Sequence, residues 1–287
     1  MNERSVVIIG LPESGKTTFL AALWHIVTSR ELGETALQFG GLDIGDVSHL
    51  NDIARRWREA KIQDRTSVTG IRVVKMRLKA PDGRVVSTAF PDAPGESYRQ
   101  MWEVRECTRE VASMLQQGAV MLFVHADAIS RPLWVADEVQ LNEELGIAND
   151  GEEPEPWTPE LAPTQVQLVD LLQLLRREPL DSGPRRLAIM LSAWDKVSGE
   201  SLSPEEFLRS NLPLLWQYLR LGGDSWEFEV YGVSAQGGEY DSNDRGGVTS
   251  PEAEHLRSLD SPSKRIRLVR QDEESHDLTE PLKWLME

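Results

Sequence analysis

Between a short apolar run, Ser5–Ile9, and a stretch of helical apolar spacing, Lys16–Arg30, the chain reads Gly10-Leu11-Pro12-Glu13-Ser14-Gly15-Lys16-Thr17, which matches G-x-x-x-x-G-K-[ST] in full. Glycines let such a loop curl so that consecutive N–H groups point at phosphate oxygens. The helix that follows adds its positive N-terminal end. Gly10, Pro12, Glu13, Ser14, Gly15 and Thr18 are therefore candidate phosphate contacts, Lys16 would reach the β- and γ-phosphates, and the Thr17 hydroxyl would take a Mg²⁺ position. The chemistry implied is the grip of a nucleoside triphosphate with Mg²⁺.

Three further segments could act on the same ligand. Phe90-Pro91-Asp92-Ala93-Pro94-Gly95-Glu96 follows a strand pattern and has the form D-x-x-G. There Asp92 can hold Mg²⁺ through water, and the Gly95 N–H can sense a γ-phosphate and tighten its loop when the phosphate is present. Ser192-Ala193-Trp194-Asp195 and Val233-Ser234-Ala235-Gln236 each end an apolar run.

On Gly10–Thr17, Asp92–Gly95 and these two weaker motifs, the chain resembles the small-GTPase-like members of the translation-factor-related class of P-loop GTPases. Within that class it is most similar to the bacterial double-GTPase family found in GTPase-associated operons. The resemblance covers Ser5 to about Ala235, with a closing helix near the end. It implies that Asp195 pairs with guanine N–H groups, that Ser192 replaces the usual polar first residue, and that the Ser234-Ala235 backbone bonds the guanine O6. Ala193 stands where the family has a lysine that packs across the base, although Lys196 follows Asp195. A switch threonine that ligates Mg²⁺ is implied before the hairpin strand, with Thr66 the first choice and Thr69 the second. Glu96 occupies the position where a Gln usually orients the attacking water. Arg65, Arg99 and Arg105 are arginine-finger candidates by sequence proximity, each more in keeping with a surface charge. Slow intrinsic turnover follows, with acceleration by a cation from a partner.

The elements that must position these residues are readable from pattern. Ser5–Ile9, rich in Val and Ile, has the look of a strand buried on both faces, Gly118–Val124 and Arg186–Leu191 read as further buried strands, and Phe228–Val233 as a last strand. Ile71–Leu78 and Val85–Phe90 flank the turn Ala80-Pro81-Asp82-Gly83 and form a hairpin signature. Helical patterns cover Lys16–Arg30, His49–Lys61, Glu96–Gln117 and Val166–Arg176, and Ser203-Pro204-Glu205-Glu206 opens another helix. The fold class expected is α/β: a three-layer P-loop NTPase fold, mainly parallel sheet with one antiparallel hairpin strand and helices on both faces. Residues 1–287 read as one G-like domain with surface insertions at about 127–163 and 236–263 and a closing helix at about 279–286.

The 287 residues are 40% apolar and 27% charged, with a formal net charge of −16. An acidic surface repels phosphate backbones and anionic lipid, so neither nucleic-acid binding nor membrane insertion is expected. The single cysteine, Cys107, rules out an internal disulfide, and no signal-peptide pattern opens the chain, so a cytoplasmic setting is expected. His25 and His125 lack metal-ligand spacing and read as packing or solvent-facing groups. The leading reading is a GTP-binding, slowly GTP-hydrolysing switch that takes GTP/GDP and Mg²⁺ and acts with unidentified protein partners. The resemblance points to bacterial conflict, defence or signalling systems. The competing readings are a degenerate nucleotide-binding scaffold and a P-loop ATPase or kinase.

Overall fold

The structure, a computed structural model, describes residues 4–44, 46–63, 72–92, 101–116, 118–132, 158–197, 199, 202–241 and 249–287. Among these residues the centre is a nine-stranded sheet: β1 (Arg4–Gly10), β2 (Gln38–Ile44), β3 (Arg72–Lys79), β4 (Val85–Asp92), β5 (Ala119–His125), β6 (Arg185–Ser192), β7 (Trp226–Ser234), β8 (Arg267–Arg270) and β9 (Glu273–Ser275). Their order is β2-β3-β4-β1-β5-β6-β7-β8-β9. The middle of the sheet, β4-β1-β5-β6-β7, is parallel throughout. Antiparallel pairs flank it on both sides, β2-β3 beyond β4 and β8-β9 beyond β7.

The α/β fold with helices on both faces is as the sequence implies, but antiparallel pairing extends past the single hairpin strand expected. β2, β8 and β9 escape pattern reading because they are short or edge-placed, with half-exposed, polar residues that carry no buried-strand signature. Among the described residues, eight helices of seven residues or more cover the sheet: α1 (Lys16–Ser29), α2 (Val47–Arg58), α3 (Arg109–Leu115), α4 (Thr164–Leu174), α5 (Pro204–Asn211), α6 (Pro213–Leu221), α7 (Pro251–Ser258) and α8 (Glu280–Met286).

Alternation along the strands splits the core into two layers. Val6 and Ile8 of β1 join Met121 and Phe123 of β5 against α1, α2, α7 and α8. Val7 and Ile9 join Leu122, Val124 and Ile189 against α3 to α6. Strands buried on both faces need such continuous apolar runs, which is why these read so clearly in the sequence. The Ser203 hydroxyl accepts from the Glu206 N–H, and the Glu206 carboxylate accepts from the Ser203 N–H at 2.9 Å, a capping box that starts α5 as its sequence implies. The long helix expected over 96–117 is interrupted instead. Residues 101–104 are helical, Arg105 has φ 62°, and a fresh start follows at Thr108, whose hydroxyl accepts from the Val111 N–H. In the segment 236–263, α7 buries Ala253 and Leu256 in the first layer. Among the described residues no helix is long and apolar enough to cross a membrane.

Candidate functional site

β1 ends at Gly10, in register with Phe123 of β5. The chain therefore leaves the sheet at the carboxyl end of the parallel strands, where open α/β sheets hold ligands. A Cβ on Gly10 would lie 2.7 Å from the Phe123 carbonyl oxygen and 2.7 Å from Ser14 Oγ, so the turn has room for glycine alone. Glu13 (φ 57°) and Gly15 (φ 87°) are both left-handed, and these reversals curl the loop around its own interior. Gly15 caps α1 without a side-chain hydrogen bond, and no acidic residue occupies the first turn. No side-chain cap and no first-turn carboxylate therefore competes with an anion at the start of α1. Lys16 Nζ donates to the carbonyl oxygens of Gly10 and Leu11, each at 2.8 Å, and to Ser14 Oγ at 3.1 Å. A curled glycine loop, an uncapped helix start and an ammonium laid across the loop fit a phosphate group.

The neighbouring strands end at the same level. His125 of β5 pairs in register with Ser192 of β6, and Ser192 with Val233 of β7. A cleft of about 190 Å³ runs between their ends. One side is Glu13, Gly15 and Thr18; the far side is Ala193, Asp195 and Lys196 after β6, with Ser234, Ala235 and Gln236 after β7. Phe19 and Phe123 also line it and meet edge to face at 5.0 Å.

Local packing explains how Asp195 arrives there. Ala193 has φ 54°, which turns the chain sharply out of β6. Trp194 then buries its indole against Gly232, where a Cβ would stand 2.4 Å from the ring, and meets Phe207 edge-on at 5.4 Å. That anchor fixes one helical turn, Trp194–Val197, and sets half-buried Asp195 in the cleft wall. Lys196 is exposed and its Nζ lies 3.5 Å from Asp127 Oδ2. Buried Ser234 accepts from the Gly237 N–H at 3.2 Å, and the Ala235 carbonyl accepts from the Trp57 indole at 2.7 Å.

His125, read from sequence as packing or solvent-facing, also lines this cleft. Burial pushes its imidazole below the ordinary value and Lys196 adds to the shift, while Asp127, Glu13 and Asp195 oppose it. Its Nδ1 is buried without a hydrogen-bond partner among the described residues. A larger cleft, about 770 Å³, opens at the opposite edge, where Ala119, Arg185 and Trp226 begin their strands; it contains none of the motif residues.

The family model for Double-GTPase 1 matches residues 7–285. The chain belongs to the Double-GTPase 1 family. Membership supports a GTP-binding protein of the P-loop GTPase kind. Among solved structures, the Saccharomyces cerevisiae Ski7 GTPase-like domain bound to GDP and inorganic phosphate aligns over 90% of this chain and 50% of its own, at 12% identity and TM-score 0.43. The Chaetomium thermophilum signal recognition particle receptor SRb-GTP/SRX complex aligns over 85% of this chain and 94% of its own, at 15% identity and TM-score 0.40. The bacterial selenocysteine-specific elongation factor EF-Sec aligns over 83% of this chain and 27% of its own, at 12% identity and TM-score 0.39. The chain thus spans about a quarter of that elongation factor's length. A search of curated proteins returned no match.

In this Double-GTPase 1 member, Gly15, Thr18, Glu13, Asp195, Ser234 and Ala235 come together around one cleft. Gly10, Pro12, Ser14, Lys16 and Thr17 belong to the loop and first turn beside it. β4 runs to Asp92, as far beyond Ala89 as Gly10 lies beyond Val7, and Ala89 pairs with Val7. The Asp92 backbone therefore ends level with the phosphate loop. Its side chain lies outside the described residues, as do Thr66, Thr69, Arg65, Gly95, Glu96 and Arg99. Arg105 bonds to the Asp170 carboxylate. His125 was the residue that sequence reasoning passed over; the available signal was its place at the last position of a core strand neighbouring the loop strand.

Proposed function

We propose that this chain is a cytoplasmic guanine-nucleotide switch that holds GTP or GDP with Mg²⁺, hydrolyses GTP slowly, and acts with protein partners in a bacterial conflict, defence or signalling system. One observation carries the reading: a single cleft joins the end of the phosphate loop to Asp195 and to the Ser234–Ala235 turn. The loop N–H groups and Lys16 would take the β- and γ-phosphates, with the Lys16 ammonium exchanging loop carbonyls for phosphate oxygens. The Thr17 hydroxyl, together with Asp92 at the end of β4 and Thr66 from the preceding segment, would hold the metal, which supplies charge neutralisation at the phosphates. Asp195 would accept from N1–H and the 2-amino group of guanine. Adenine offers neither donor in that place, so a carboxylate there disfavours it.

Slow turnover is expected from the residue after the D-x-x-G motif. Glu96, in place of a glutamine, would have to orient water as a carboxylate beside a triphosphate. A partner that delivers a cation would then accelerate hydrolysis.

Ala193 favours a second reading, a nucleotide-holding scaffold without turnover, because no lysine stem there can cover the base. The test is calorimetric titration of nucleotide-free protein with GTP, GDP and ATP in Mg²⁺, with Asp195→Ala and Lys16→Ala alongside. Guanine preference that Asp195→Ala removes supports the switch. Equal ATP binding leaves an ATPase or kinase, and absence of binding overturns both. Multiple-turnover phosphate release that Lys16→Ala abolishes separates the enzyme from the scaffold.

A further inference from the structure

Trp57, on α2, is fully buried and does not line the nucleotide cleft, yet it holds the cleft's far wall. Its indole N–H donates to the Ala235 carbonyl at 2.7 Å, a buried bond between residues far apart in sequence. Two groups pack against the ring: the Arg265 guanidinium carbon lies 3.8 Å from its centroid, and the His25 ring of α1 is tilted against it at 5.1 Å. Arg265 is itself 5% exposed. Its Nη2 donates to the Trp57 carbonyl and to the Tyr240 hydroxyl, while Nε and Nη1 have no partner among the described residues. Holding a cation in the interior with so few acceptors is costly, and the stack on Trp57 offsets only part of it. That cost is spent on one geometry, the indole aimed at Ala235.

The support reaches further along both segments. The Asp241 N–H donates to the Ala60 carbonyl at 3.1 Å, and the Ile62 N–H donates to the Asp241 carbonyl at 3.4 Å. Arg257 Nε donates to the Glu59 carbonyl at 2.6 Å and its Nη2 to Asp241. The end of α2 and the stretch 235–241 are therefore joined as one body.

We propose that Trp57 is a positioning residue for base recognition, orienting the Ala235 turn through its indole N–H while Arg265 keeps the indole in place. This rests on the guanine reading above. A carbonyl fixed from behind sets the Ala235–Gln236 peptide plane, and the Gly237 N–H to Ser234 Oγ bond ties the two ends of the turn together, so the turn is restrained from both sides. Base discrimination then depends on a residue that touches no nucleotide.

The test compares wild type with Trp57→Phe, which keeps a ring and removes the donor, using GDP and the 2-aminopurine riboside diphosphate, which lacks the 6-oxygen and with it the N1 proton, so only the change on substitution within each ligand is read. Trp57→Phe is expected to weaken GDP roughly tenfold and the analogue less than about twofold, as loss of one positioned hydrogen bond would give. Equal weakening of both, or of neither, overturns the inference while the wild-type preference for GDP still stands. A wild type that does not prefer GDP removes the guanine reading and this inference with it. Should Trp57→Phe not fold, hydrogen exchange on the wild-type chain decides: GDP, but not the analogue, should protect 53–60 together with 234–238. Protection of 234–238 alone overturns the inference.

Discussion

Gly15 of the phosphate loop and Ser192 at the end of β6 face each other so closely that a Cβ on Gly15 would stand 3.1 Å from the Ser192 Cβ and 3.2 Å from its hydroxyl. The phosphate end and the base end of the cleft thus share a wall, and the loop cannot shift without meeting β6. Gly15 also has φ 87°, where an L side chain is strained. Gly15→Ala should cost about 1–3 kcal/mol of stability and abolish nucleotide binding. Urea unfolding with and without GDP checks both, and a fully binding, equally stable variant would show that the loop is free to move.

Lys16→Ala removes the ammonium that lies over the loop without touching the core. Affinity for GDP and GTP should fall roughly 10- to 100-fold, as expected for a charged hydrogen bond to phosphate, with little change in Tm. Calorimetry alongside a thermal melt would separate the two effects.

Asp195→Ala should lower GTP affinity by on the order of a hundredfold, because two donors of the base lose one carboxylate. ATP affinity should stay where it was. Competition of each nucleotide against a fluorescent GDP reads the ratio directly; parallel losses for GTP and ATP would mean that Asp195 supports the turn rather than reads the base.

His25 gives a pH dependence of stability. Burial pushes its imidazole below the ordinary value, Arg58 and Arg265 add to this, and Glu31, with a carboxylate oxygen 2.9 Å from His25 Nε2, offsets only part. The folded pKa lies below the unfolded one, so the unfolded chain takes up the proton first as pH falls. Stability is fully present above the unfolded value near 6.5 and declines as pH drops below it toward the folded pKa. Urea midpoints should fall between pH 7.5 and 5.5, and His25→Gln should flatten that slope.

Ser203→Ala removes the hydroxyl that accepts from the Glu206 N–H at the start of α5 and leaves the Ser203 N–H to Glu206 carboxylate bond available. The helix lies against β7 and buries Phe207 and Leu208, so the loss should appear as about 1 kcal/mol of global stability with nucleotide affinity unchanged.

Short-range chemistry governs the features that are legible in the chain alone. The glycine loop announces itself because only Gly10 and Gly15 suit its turns and Lys16 and Thr17 must follow at once. The central strands do so because burial on both faces demands unbroken apolar runs. The α5 cap was equally legible, since Ser203, Pro204 and Glu206 settle it within one turn. The tertiary structure decided the rest. No local rule pairs Trp57 with Ala235, brings His125 beside Asp195, or marks β2, β8 and β9 as strands, because each depends on neighbours distant in the chain. The indole has its acceptor, and the short polar strands their ladders, only through the tertiary arrangement that sets them side by side.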